Sequence, residues 1–72
     1  MFKRAKAEVD GKRYAVCFDA RTGEPLAIDV QVVRERFNHY RQIWVKNNGT
    51  PNARQILIIQ AARDELEMVP SA

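Results

Sequence analysis

The chain has 72 residues, 46% of them hydrophobic and 29% charged, and a net charge of +3 at neutral pH. This length allows one domain near the lower limit for a self-sufficient core, and the composition excludes a disordered chain. One cysteine excludes an internal disulfide, and no apolar run approaches the roughly 20 residues that span a bilayer. The basic N-terminus is not followed by an apolar stretch, so we expect no signal peptide and a cytoplasmic location.

The first predicted element is a β-hairpin around Asp10–Gly11. Asp-Gly between two extended runs favours a two-residue type I′ turn, in which both residues have positive φ. This turn predicts strands over about 2–9 and 12–19 and sets Glu8 opposite Arg13, a pair of opposite charge. Alternation along the second strand gives a core-facing set: Tyr14, Val16 and Phe18.

The next segments predict a third strand and a first helix. Alternating apolar residues favour a short strand over about 25–30, although Asp29 equally fits the N-cap of a following helix. From there the apolar period changes to that of a helix over about 31–47, with Gly49 after its end. The stripe that predicts this helix consists of Val33, Phe37, Tyr40 and Trp44.

The last predicted element is a helix over about 51–68, with Thr50 as N-cap and Pro51 at its first position. Together these elements predict a single α+β domain over residues 1–72. An N-terminal antiparallel hairpin or three-stranded meander is followed by two α-helices packed on one sheet face.

The last helix carries more apolar surface than one stripe requires. At about 100° per residue, its core-facing arc contains Ile58, Ile59, Ala62, Leu66 and Val69. A second stripe contains Leu57, Ala61 and Met68, and the first predicted helix adds Val32 and Ile43. Two interpretations remain open. Either the helix is central and buries both stripes, or the second stripe is a protein interface.

The sequence offers little for catalysis. The only histidine, His39, falls on the solvated side of the predicted first helix, and Cys17 faces away from the core with no histidine nearby to activate it. Asp64, Glu65 and Glu67 resemble a charged, solvated helix face. No phosphate loop, nucleophile elbow or metal-ligand spacing is present. We therefore expect no catalytic residues, no metal, no cofactor, no small-molecule substrate and no enzyme activity.

Basic residues predict an anion or nucleic-acid surface as an alternative. The candidate contacts are Arg4, Lys6, Lys12, Arg13, Arg34 and Arg41. On the predicted first helix the cations are scattered rather than gathered in a stripe, and Asp19 and Asp29 would repel phosphate. This alternative, a small basic nucleic-acid-binding regulator using the N-terminal hairpin and first helix, is therefore not the favoured one.

The favoured hypothesis is a non-enzymatic protein-interaction module that acts by surface binding, as an adaptor, inhibitor or regulatory protein does. A phage or mobile-element accessory protein that blocks a host system is one example of this class. Its partner would be another protein or a second copy, bound through Leu57, Ala61 and Met68 with Val32 and Ile43. No membrane partner is expected.

Overall fold

A computed structural model of the chain has four antiparallel strands followed by one α-helix. The structure describes residues 1–33, 35, 36 and 39–68, with Met68 described in its backbone alone. The sheet has the order β1-β2-β3-β4, so each strand pairs with its sequence neighbours. The elements are β1 (Phe2–Val9), β2 (Lys12–Asp19), β3 (Pro25–Gln31), β4 (Tyr40–Val45), a 3-10 turn (Lys46–Asn48) and α1 (Ala53–Met68).

The predicted hairpin is confirmed. Asp10 and Gly11 have φ values of 53° and 77°, as a type I′ turn requires, and Glu8 lies opposite Arg13. The third predicted strand is also confirmed as a strand, so Asp29 is not a helix N-cap. Its pairing shifts by one residue near its start, where Cys17 faces Ala27 and Phe18 faces Pro25.

The predicted helix over 31–47 is wrong, and with it the prediction of three strands and two helices. Residues Tyr40–Val45 form the fourth strand, which pairs with β3 and extends the meander. The run Tyr-Arg-Gln-Ile-Trp-Val is rich in aromatic and β-branched residues, which favour strands. Two of the residues in the supposed helical stripe lie in β4, whereas Phe37 lies outside the described residues.

A β-bulge explains why β4 does not show a strand pattern in the sequence. Trp44 faces Ile28, but Gln42 faces Asp29, so Ile43 is an extra residue in β4. Because of this insertion, Tyr40 and Trp44 lie on opposite sheet faces although they are four residues apart. The bulge therefore breaks the period of two and leaves a spacing that resembles a helix.

The core lies between one sheet face and α1. Its buried residues are Ala5, Ala7, Tyr14, Val16, Phe18, Ile28, Trp44, Ile58, Ile59 and Ala62. The helix packs most closely on β1, where the core-facing side chains are alanines that let its backbone approach. Ile58 and Ile59 are buried, as the first helical stripe predicts, and Leu66 is partly buried against the same core.

The helix α1 begins two residues later than predicted. Asn52 is the N-cap: its side chain accepts the Gln55 N–H at 2.8 Å, and the Gln55 side chain accepts the Asn52 N–H at 2.9 Å. This reciprocal pair is a capping box. Arg54 then binds the Asp10 carboxylate at 2.9 Å, and Arg63 donates to the Gly23 carbonyl at 3.0 Å. These two arginines link α1 to the turns at both ends of β2.

Candidate functional site

The sheet has a second face, on the side opposite α1. No helix or strand of the described ranges packs on it, and it is called the open face below. Side chains reach it from all four strands because of the register. They are Phe2, Arg4, Lys6, Glu8, Arg13, Ala15, Cys17, Asp19, Ala27, Asp29, Gln31, Tyr40, Gln42 and Val45.

Arg4 lies across the middle of the open face. Its guanidinium is 3.8 Å from the Asp29 carboxylate and 5.0 Å from the centre of the Tyr40 ring. Next to it in the sheet, Ala15 is only 1% exposed although no helix covers this side. The surface is therefore a polar layer over small side chains, across which Arg4 makes an ion pair and a cation–π contact.

Cys17 lies opposite Arg4 in the register, on the face away from the core, as predicted. Burial raises the pKa of the Cys17 thiol; the Arg4 charge opposes this shift and the Asp29 charge adds to it. A raised pKa keeps the thiol protonated at neutral pH, which disfavours a nucleophilic role.

A groove at one end of the sheet gathers three cations: Lys12, Arg13 and Arg41. It has a volume of about 420 Å³ and is called the basic groove below. The remaining lining residues are Glu8, Gly11, Val30, Gln31 and Val32. The antiparallel topology brings these cations together, since the start of β2 and the start of β4 lie at the same end of the sheet.

The loop between β3 and β4 is anchored beside the basic groove. The Gln31 side chain donates to the Val33 carbonyl at 2.9 Å and to the Arg36 carbonyl at 3.2 Å. The Val32 N–H also donates to the His39 carbonyl at 2.8 Å, which continues the β3–β4 ladder. Arg41 is therefore presented by a backbone with a defined conformation.

Three aspartates of the sheet and its turns are engaged by other groups, and one of them, Asp19, lies at the end of β2 far from the basic groove. Asp10 pairs with Arg54, and Asp29 with Arg4. Asp19 accepts the N–H groups of Arg21 and Thr22 at 2.7 and 3.1 Å, which lower the pKa of its carboxyl group. The hydrogen bond that Arg54 donates to the Tyr14 hydroxyl oxygen, and then its contact with Asp10, raise the pKa of Arg54, which stays charged.

The structure gathers part of the predicted anion-binding set. Lys12, Arg13 and Arg41 line the basic groove, whereas Arg4 and Lys6 lie on the open face. Arg34 lies outside the described residues. Tyr40 and Gln42 also reach the open face. The prediction of a helix over 31–47 did not place them on a sheet face. The strand-favouring composition of Tyr40–Val45 was the signal that could have revealed both.

The predicted protein-interface set is spread over three elements. Leu57 is 56% exposed on α1, while Ala61 is half-buried and packs against the core. Val32 is 58% exposed in the β3–β4 loop, where it lines the basic groove. Ile43 is half-buried at the bulge of β4. The side chain of Met68 lies outside the described residues.

The candidates for catalysis do not form a cluster. His39 is exposed in the loop before β4. Among the residues with described positions, no group of three or more histidine, cysteine or acidic side chains could hold a metal ion. In the same part of the chain, no helix combines the length and apolarity that crossing a membrane requires.

Comparison of the chain with models of protein families, with curated proteins and with solved structures found no match. A functional proposal for this chain therefore depends on the geometry and charge of the open face and the basic groove.

Proposed function

We propose that this protein is a small, non-enzymatic nucleic-acid-binding module whose ligand lies along the basic groove and the adjoining open face. The observation that carries this proposal is the convergence of Lys12, Arg13 and Arg41 around one groove. Cations gathered on one surface form the electrostatic footprint of a protein that contacts the phosphate backbone.

The charges around the groove support an anionic ligand. Among the described residues that line the groove, Glu8 is the single acid, and it lies opposite Arg13 in the hairpin. Asp10 and Asp29, which would otherwise repel phosphate, face Arg54 and Arg4. Lys6 extends the basic surface from the groove onto the open face. The local field therefore favours phosphate more strongly than the linear sequence suggests.

Titration of a fluorescently labelled 20-base-pair DNA duplex with the protein, followed by anisotropy at low salt, tests this proposal. Lys12→Gln combined with Arg41→Gln removes two positive charges from the groove. We expect this double variant to bind at least about ten-fold more weakly, as the loss of two phosphate contacts requires.

The matched control is Lys3→Gln combined with Arg21→Gln, which lowers the net charge by the same amount outside the groove. Both control residues are exposed, and Arg21 lies in the β2–β3 turn at the other end of the sheet. Equal losses in the two double variants would show that only net charge matters. That result, or no binding by the wild type, would reject the groove as a nucleic-acid site.

A protein partner bound through α1 is the second candidate function. The observation that favours it is the exposure of two adjacent large apolar side chains, Ile56 at 42% and Leu57 at 56%. Full burial of such a side chain is worth roughly 1.5–3 kcal/mol, so burying the part that is still exposed would stabilise an interface by about half of that for each residue. The partner would be a second copy or another protein, and small Ala61 beside Leu57 would allow a close approach.

Sedimentation equilibrium separates the homodimer version from the nucleic-acid proposal. If α1 forms a homodimer, the wild type self-associates and Leu57→Glu is a monomer with an unchanged circular dichroism spectrum. A wild-type protein that remains monomeric at high concentration would reject the homodimer.

A further inference from the structure

We infer that the outer edge of β1 binds an extended acidic segment of a protein partner, which pairs with β1 as a fifth antiparallel strand. Three features of β1 carry this inference: the length and regularity of its edge, the backbone groups that the edge presents, and the charges beside them. A partner bound in this way is a further function, and it does not depend on nucleic-acid binding.

Among the described residues, the sheet has two edge strands, β1 and β4. The eight residues of β1 pair with β2 without interruption from Phe2 to Val9. In contrast, β4 has six residues and a bulge at Ile43, and bulges protect sheet edges from further pairing. The edge that suits the addition of a strand is therefore that of β1.

Every second residue of β1 points its backbone N–H and C=O away from β2. The two-residue turn makes Val9 and Lys12 a hydrogen-bonded pair, and such pairs alternate with non-hydrogen-bonded ones along an antiparallel ladder. The residues of the non-hydrogen-bonded pairs present their backbone groups at the outer edge, and all of them are exposed. They are Phe2, Arg4, Lys6 and Glu8. A strand beside β1 would therefore form backbone hydrogen bonds along most of its length.

The side chains beside this edge are mainly cationic. Arg4 and Lys6 project onto the open face, and Lys3 is exposed on the other side of β1. With Glu8 as the one acid of the strand, β1 has a net charge of +2. Opposite charges that face each other across two strands stabilise the pair, whereas like charges destabilise it. The edge therefore favours a partner strand with acidic residues at alternate positions.

The same charges disfavour a second copy of β1 at this edge. Two β1 strands related by a two-fold axis overlap most when they pair about Ala5 or about Lys6. The first alignment sets Arg4 of one copy opposite Lys6 of the other, and the second sets the two Lys6 side chains opposite each other. Both alignments place like charges together, so an acidic strand from another protein is the better occupant.

Anisotropy of a fluorescein-labelled, eight-residue peptide of alternating glutamate and valine tests this inference. Its glutamates would face Arg4 and Lys6, and its valines would lie beside Ala5 and Ala7, on the side of the sheet that α1 covers. In this antiparallel alignment, the N–H groups of the glutamates point at β1 and those of the valines point away from it. N-methylation of the glutamates should therefore weaken binding at least about ten-fold, and N-methylation of the valines should leave affinity within about two-fold.

The two methylated peptides carry the same charge, so equal affinities would overturn strand pairing and leave only charge attraction. The inference also fails if the unmodified peptide does not bind, or if a peptide with lysine in place of glutamate binds as tightly. None of these measurements involves nucleic acid, so the proposed function stands or falls separately.

Two variants of one residue provide an independent readout on the protein. Lys6→Gln should weaken peptide binding several-fold, because it removes a charge at the edge. Lys6→Pro removes the same charge and also the outward N–H, which an edge strand tolerates, so it should weaken binding further. Equal affinities of the two variants, with thermal unfolding showing both to be folded, would contradict pairing at this edge.

Discussion

The dependence of binding on salt should follow from the number of cations at the site. Phosphate contacts release condensed counterions, so the logarithm of the association constant falls linearly with the logarithm of salt concentration. The slope is about −0.9 for each phosphate neutralised on B-form DNA. The basic groove and the adjoining open face supply Lys6, Lys12, Arg13 and Arg41 for this purpose.

Four contacts predict a slope of about −3.6, so raising KCl from about 50 to 200 mM should weaken binding about 150-fold. Removing one contact with Arg41→Gln should reduce the slope to about −2.7. Anisotropy titrations at five KCl concentrations measure both slopes. A wild-type slope shallower than about −1, or an Arg41→Gln slope equal to that of the wild type, would refute the assignment of phosphates to this cluster.

Three further predictions, made with four substitutions, test the fold and the charges in the sheet. Ile58→Ala should lower the free energy of unfolding by about 2–5 kcal/mol and Leu57→Ala by less than about 0.5 kcal/mol, because Ile58 is buried and Leu57 exposed. Urea unfolding checks this, and equal losses would contradict the placement of the core stripe. Asp29→Asn removes a negative charge and releases Arg4, so duplex affinity should rise, and unchanged or weaker binding in anisotropy would contradict this. The Asp19 carboxylate has a lowered pKa, so it stabilises the fold above its unfolded-state pKa and this contribution disappears as pH falls through the folded-state pKa. Urea unfolding of Asp19→Ala should therefore show a loss of stability that is larger at neutral pH than in strong acid, and a loss independent of pH would oppose this account.

The elements that could be predicted from the sequence are those with strong local signals. Asp10–Gly11 specifies a type I′ turn through its backbone requirements, and the flanking alternation then sets the register of β1 and β2. The core stripe of α1 could be predicted for a similar reason, since Ile58, Ile59 and Ala62 follow the helical period without interruption.

The fourth strand could not be predicted from the apolar period. Its bulge at Ile43 moves Trp44 to the core and leaves Tyr40 on the open face, which breaks the alternation of a strand. The spacing of the apolar residues that remains matches the period of a helix. Pairing with the free edge of β3 determines the outcome, and such a long-range contact has no signature in the local pattern.

The wrong prediction of a helix where β4 lies also explains why the sequence favoured a protein-interaction module over a nucleic-acid-binding one. On a helix, Arg41 is separated from the hairpin cations, so the basic residues look scattered. In the sheet, the start of β4 lies at the same end as the start of β2, with β3 between them, so Arg41 lines the same groove as Lys12 and Arg13. The capping box of α1 could have been predicted from Asn52 and Gln55. Thr50 before a proline also fits a helix N-terminus, and it was therefore predicted as the N-cap instead.

The most direct test of the central claim is a two-dimensional amide NMR spectrum recorded during titration with the DNA duplex. We predict that the largest shift changes occur at the basic groove, at Gly11, Lys12, Val32 and Arg41, while the amide of Leu57 on α1 stays unchanged. Largest changes on α1, or no changes at saturating duplex, would contradict the claim that the basic groove is the nucleic-acid site.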